Sequence, residues 1–211
     1  MRKIAAGIAA ASAVALAAGA MAPAAQAADG TKSLAAVLTA STPKFDKNWN
    51  DYDIVTAAVL AVLEAKPSSA VGVLAKGDVA LTAFIPSDKA FRTFAEDLTG
   101  KKPSSEKKTF EAVAGLGGID LVETVLLYHV VPGATVDSKA ALASDDAFLF
   151  TALKGGYFRV NVVDGGIRLK DRDGNSRNPR VNAVDINKGN VQIAHGIDRV
   201  LRPIDLDPKD S

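Results

Sequence analysis

Val79-Ala80-Leu81-Thr82-Ala83-Phe84-Ile85-Pro86-Ser87-Asp88-Lys89-Ala90-Phe91 decides how the rest of the chain is read. Residues 79–85 form an apolar run too short for a helix and read as a buried strand. Pro86 ends it, because proline has no amide to donate to a ladder. Ser87 is a good helix N-cap, and Phe91, Phe94, Ala95 and Leu98 then recur at helical spacing. The stretch is a strand–proline–helix unit, and it fixes the grammar of both flanks.

On the N-terminal side, Asp53-Ile54-Val55-Thr56-Ala57-Ala58-Val59-Leu60-Ala61-Val62-Leu63-Glu64 is apolar nearly all round. It reads as a buried helix capped by Asp53, with Leu60 enclosed and with Phe84, Phe91 and Phe94 in the same cluster. Leu60→Ala is then expected to cost ~2–5 kcal/mol. Asn48-Trp49-Asn50-Asp51-Tyr52, which holds the only Trp, reads as a loop folded against the body. On the C-terminal side, the lysine-rich loop 101–108 reads as solvated, although its lysines invite an anion-binding reading. It leads into another helix, and Gly115-Leu116-Gly117-Gly118 comes after that helical pattern. Residues 119–128 are helical by pattern, and Tyr128-His129-Val130-Val131-Pro132-Gly133 then turns to an extended segment. After residue 147 the pattern is β: Phe158, Val160 and Val162 alternate with polar residues, Asp164-Gly165-Gly166 turns the chain, and strands follow at 167–169, 181–186 and 191–195. Helices followed by a meander of strands indicate an α+β domain, not an alternating parallel sheet.

The ends and the composition narrow the class. Arg2-Lys3, the uncharged segment 4–21, Pro23 and Ala25-Gln26-Ala27 have the order of a cleaved signal peptide, residues 1–27, with Ala28 the expected mature N-terminus. An uncleaved membrane anchor is the rival reading. Cleavage leaves 184 of 211 residues as a single domain, 28–211, with a core at about 31–205, and moves the formal charge from +1 to −1. A domain of that size folds without disulfides. The chain has no cysteine, which excludes disulfides, thiolate metal sites and a thiol nucleophile. Near-zero net charge argues against nucleic acid as a partner. An exported, cysteine-free chain suits a bacterial secretion route, with no membrane insertion after cleavage.

Motifs for chemistry are sparse. There is no G-x-S-x-G elbow and no phosphate-cradling glycine loop. Asp171-Arg172-Asp173-Gly174-Asn175 suggests a calcium loop, but Ser176 and Asn182 stand where an EF-hand needs Gly and Glu, so it reads as an Asp-Gly turn. Neither a metal nor another cofactor is indicated. The two histidines, His129 and His195, both lie among apolar neighbours, where an imidazole is expected to be a neutral, hydrogen-bonded core residue.

Thr82-Ala83-Phe84-Ile85-Pro86-Ser87-Asp88-Lys89-Ala90-Phe91 resembles the first signature of fasciclin-type (FAS1) domains. Tyr128-His129 falls at that family's Tyr-His motif, and Ala183-Val184-Asp185-Ile186 with His195-Gly196-Ile197-Asp198-Arg199-Val200-Leu201 resembles the second signature and its approach. The segment 189–194, the Trp49 loop and the lysine loop look like additions. The resemblance implies helices packed on a wedge of two β-sheets, and a non-catalytic extracellular adhesion or interaction module. It carries partner binding onto Tyr128, His129, Asp185 and Ile186. A structural polar core is expected from Ser87, Asp88, His129 and His195, with Ser87 and Asp88 as partners of His129.

The leading expectation is a secreted module that binds an extracellular protein or polysaccharide. A secreted hydrolase or a small-ligand carrier using His129 or His195 is the alternative. The scarcity of aromatics, 6% of the chain, argues against a sugar-stacking surface.

Overall fold

The structure is a computed structural model that describes residues 30–40 and 45–204. The expected signal peptide lies outside them. In chain order the elements are α1 (Leu34–Leu38), α2 (Asp53–Ala65), a 3-10 segment (Ala70–Ala75), β1 (Leu81–Pro86), α3 (Asp88–Thr99), α4 (Glu106–Tyr128), β2 (Val130–Pro132), α5 (Ser138–Leu142), β3 (Phe148–Phe150), β4 (Tyr157–Val163), β5 (Gly166–Lys170), β6 (Val181–Ile186) and β7 (Gln192–Ile197).

The strand–proline–helix unit is β1 followed by α3, and Ser87 caps α3 by accepting from the Ala90 amide at 3.3 Å. β1 is buried along its whole length because it has a strand on each edge and a packed layer on each face. It pairs antiparallel with β2 and parallel with β7, in a four-stranded sheet ordered β2-β1-β7-β6. β3, β4 and β5 form a separate antiparallel sheet. Helices and two small sheets make the α+β architecture expected.

Strand parity divides the core in two. Leu81, Ala83 and Ile85 of β1 join Ile54, Val62, Phe91, Phe94 and Val125 beneath the helices. Phe84 points the other way, as alternate strand residues must, and joins Tyr128, Phe158, Leu169 and Ile197 between the sheets. Its ring meets Phe158 edge-on at 5.2 Å. Phe84 therefore does not share a cluster with Phe91 and Phe94, contrary to expectation.

An expectation about a helix is also corrected. Leu60 is 43% exposed, so α2 has a solvent face and is not buried all round. The glycine run separates two helical pieces: Gly117 (φ −154°) and Gly118 (φ 64°, ψ −161°) break α4 just before Ile119. Gly118 lies where a side chain is strained, and a Cβ at Gly117 would come within 2.8 Å of the Leu121 Cβ.

The stretch leading into β7, with the first residue of that strand, has a structural use. Val191 N–H donates to the Gly30 carbonyl at 2.8 Å, and Gln192 Oε1 accepts from the Leu34 amide at 2.8 Å. Gln192 Nε2 donates to the carbonyls of Val73 (2.8 Å) and Lys76 (2.7 Å). One buried amide side chain thus ties α1, the 3-10 segment and β7 together.

Candidate functional site

His129 follows α4 as its C-cap and is buried. Its Nδ1 lies 2.7 Å from the Val125 carbonyl, and its Nε2 accepts from the Leu201 amide at 2.9 Å. A carbonyl needs a donor and an amide needs an acceptor, so the ring is the neutral Nδ1–H tautomer. His195, on β7, has the opposite arrangement. Nε2 donates to the Val136 carbonyl at 2.8 Å, and Nδ1 accepts from the Asp185 amide at 3.4 Å. Burial pushes the His129 pKa down to about 4 and lowers that of His195. The expected partners of His129, Ser87 and Asp88, are not the ones it finds. Ser87 caps its own helix, and Asp88 accepts from the amides of Asp53 (3.3 Å) and Ile54 (2.9 Å).

That last contact replaces the expected cap of α2. Asp53 is the first helical residue, and the cap comes from Asp88, 34 residues away from Ile54 in the chain. The exchange is reciprocal: the Asp88 amide donates to the Asp51 carbonyl at 3.0 Å, and the Lys89 amide to the Trp49 carbonyl at 2.9 Å. The Trp49 loop is folded against the body in this way. Arg92 strengthens it, with its guanidinium 4.2 Å from the Trp49 ring centre and its Nε donating to the Pro103 carbonyl of the lysine loop at 2.8 Å.

The positions carried over for partner binding do not make a surface patch. Tyr128 is fully enclosed and donates its hydroxyl to the Tyr157 carbonyl at 2.6 Å. Burial raises its pKa. Asp185, in a left-handed conformation (φ 58°), accepts from Ser138 N–H and Oγ–H at 2.7 Å each and pairs with Lys188 at 2.9 Å. Burial alone would raise the Asp185 pKa, but these bonds outweigh it and the net shift is downward. Ile186 packs partly buried against the core under the helices.

Exposed chemistry collects instead on the three-stranded sheet. Phe148 and Phe150 share one face of β3, with Leu149 turned inward. Phe150 lies opposite Tyr157 and Phe148 opposite Arg159 in the register of β3 and β4. The three rings are 47%, 69% and 38% exposed for Phe148, Phe150 and Tyr157. Arg159 lies 5.9 Å over Phe148, and Arg172 lies 5.6 Å over Tyr157. Phe148, Tyr157, Arg159 and Arg172, with Lys170 and Asp171, line an open hollow of about 350 Å³, and Phe150 stands beside it with its ring 6.3 Å from that of Tyr157. The low aromatic content concealed this face, because composition counts rings and not where they gather. Phe148-x-Phe150 at strand spacing was the available signal.

The match to the family model for the fasciclin domain runs over residues 56–203. The chain belongs to the fasciclin-domain family. Fasciclin domains are adhesion-related modules, generally without catalytic activity and typically extracellular or surface-associated. Among solved structures, a FAS1 domain pair from the insect cell adhesion molecule fasciclin I is similar at 18% identity and a TM-score of 0.45. The similarity covers 71% of this chain and 43% of that one, so the chain spans less than half of that structure's length. No curated protein matches the chain.

For this fasciclin domain, the geometry around the histidines bears on the alternatives. Each ring nitrogen is taken by a backbone group. Two enclosed apolar hollows beneath the helices hold only about 10 Å³ and 20 Å³, the second touching His129. Those are volumes for a water molecule, not for a small ligand. No helix among the described residues is long and apolar enough to cross a membrane.

Proposed function

We propose that the protein is an exported, non-catalytic adhesion module whose partner docks on the outer face of the three-stranded sheet, and that this partner is an anionic polysaccharide. The observation that carries the reading is the grouping of Phe148 and Tyr157 with Arg159, Lys170 and Arg172 around one open hollow, with the exposed Phe150 ring 6.3 Å from that of Tyr157. Sugar rings stack on exposed aromatic faces through their C–H surfaces. Guanidinium and ammonium groups beside those faces pair with carboxylates or sulfates. Arg159 is already held in place by Asp146 at 2.9 Å, which orders it before a ligand arrives. Export rests on the basic start, apolar stretch and Ala25-Gln26-Ala27 order of the leader.

Two measurements test the reading. The intact mass of protein recovered from culture medium should correspond to a chain beginning at Ala28. Retention of residues 1–27 in a membrane fraction would refute cleavage and release. In glycan-binding assays the protein should retain a uronate polymer and not an uncharged glucan, with affinity falling as salt rises. Phe150→Ala and Lys170→Ala should each weaken binding about tenfold, which is roughly 1.4 kcal/mol, with stability unchanged within about 0.5 kcal/mol. Equal binding of both polymers, or undiminished binding by both variants, rules out this face. Binding confined to a protein from a cell-surface extract would put a protein in the polysaccharide's place.

A further inference from the structure

Three helices begin at one point in this molecule. Asp53 is the first residue of α2, Asp88 of α3 and Glu106 of α4. One oxygen each from Asp51, Asp88 and Glu106 lies within 4.8 Å of the others, and Asp46, Asp51 and Asp53 form a second such group sharing Asp51. Asp88 and Glu106 are both 0% exposed. None of the five carboxylates makes an ion pair with a basic side chain among the described residues. The positive ends of three helices offset part of their mutual repulsion, but helix ends and clustered acids alone do not make a ligand site.

Two oxygens in this cluster are left without a hydrogen bond. Asp88 uses both oxygens on the α2 amides. Glu106 Oε2 accepts from the Asp46 amide at 2.5 Å, and Asp51 Oδ2 accepts from Asn48 Nδ2 at 2.9 Å. Asp51 Oδ1 and Glu106 Oε1 remain, and both are buried with no hydrogen-bond partner. A proton shared between Asp51 and Asp88, which stand in hydrogen-bond contact, would satisfy the first. It would leave the Glu106 oxygen orphaned in a fully buried side chain. Burial, with the Asp51 contact, pushes the Asp88 pKa up to about 9, and burial also raises that of Glu106. A single divalent cation among these three carboxylates, which offer one oxygen each within 4.8 Å of one another, would supply the positive partner that no basic side chain among the described residues provides.

We propose that Asp51, Asp88 and Glu106 form a calcium-binding site, with Asp46 and Asp53 as flanking carboxylates. Calcium holds oxygens at about 2.3–2.6 Å, so ligands on opposite sides of one ion stand up to roughly 5 Å apart, which admits the observed spread. Magnesium holds opposite ligands about 4.2 Å apart and keeps several waters, which suits a site walled by two enclosed carboxylates less well. A bound ion fastens the Trp49 loop to the starts of α2, α3 and α4. Calcium in the range of about 0.1–1 mM, where extracellular modules bind it, would then order that loop.

The only Trp lies two residues from Asp51 and makes the test direct. The purified protein is stripped with chelator and titrated with calcium chloride while Trp49 fluorescence and Tm are followed; terbium luminescence sensitised by Trp49 reports proximity. The expected result is a saturable 1:1 response, a Tm rise of roughly 3–6 °C at about ten times Kd, and a smaller rise with magnesium. Glu106→Gln, which keeps shape and the Asp46 bond, should weaken binding at least about tenfold. Should that variant fail to fold, Asp51→Asn, at a partly exposed position, carries the same expectation. Absence of any calcium response in the unaltered protein overturns the proposal, as does an undiminished response in the folded variants. A Glu106→Gln protein that melts higher in chelator, beside an unaltered protein indifferent to calcium, would show a cluster held by protons instead.

Discussion

A ring that accepts a backbone amide on one nitrogen and donates on the other can do both only while uncharged, and His129 and His195 each sit in that arrangement. Protonation of His129 would turn Nε2 into a donor facing the Leu201 N–H. With its native pKa at about 4 and an unfolded value near 6.5, the unfolded chain binds a proton that the native chain refuses. His129 therefore contributes stability above pH ~6.5, and this is lost as pH falls toward 4, by up to roughly 3 kcal/mol. His195 acts with the same sign. Asp171, pushed up to about 6 by burial first, and Asp88 act with the opposite sign, since their native forms hold a proton that the unfolded chain releases above about pH 3.9. The isolating measurement is the difference between the unaltered protein and His129→Gln, whose amide can keep both bonds. Between pH 7 and 4 the unaltered protein should lose its advantage in denaturant unfolding. Parallel profiles would show that His129 does not titrate on unfolding. Burial of the histidines was legible from their apolar flanks; their partners were not, because Leu201 is 72 residues from His129. Arg202 teaches the same at a site read only as a turn. It is buried against Asp97 and Asp173, with its amide donating to Asp171 at 2.8 Å, and no local pattern joins Asp171-Arg172-Asp173 to an arginine so far along the chain.

At the scale of elements, periodicity read from the sequence recovered α3, the second part of α4, the β4–β5 hairpin and β6 closely. It failed where an element's environment is set from outside. α2 is apolar on every side, yet its Leu60 faces solvent while Ile54 is enclosed in the core. Hydrophobic residues on a surface are common, so an all-apolar helix does not prove burial all round. Ile54→Ala should cost about 2–5 kcal/mol and Leu60→Ala under about 1 kcal/mol, read from paired denaturant melts. Equal losses would mean that α2 is rotated from the orientation described. The cap of α2 was misread for a related reason. Asp53 satisfies the local rule, but Asp88 provides the bonds.

Across the whole molecule, α+β was legible because helices precede strands, and the three signatures identified the fold. The union of β1 with β7 was not, since parallel pairing leaves no turn signal between its strands. Nor was the aromatic and basic face, which exists only once β3 and β4 align Phe150 with Tyr157. The placement of β7 bears on how the chain is made. Synthesis delivers α1 to α5 before residue 190, yet β7, one of the two middle strands of the four-stranded sheet, is drawn from residues 192–197. Until those residues emerge, β1 lacks its longest neighbour, Phe84 has no Ile197 to pack beside, and His129 waits for the Leu201 amide. A nascent chain therefore holds an apolar face open until residues 192–201 emerge. Closing contacts between such distant segments is slow, and in that interval the protein depends on whatever in the cell keeps unfinished chains apart.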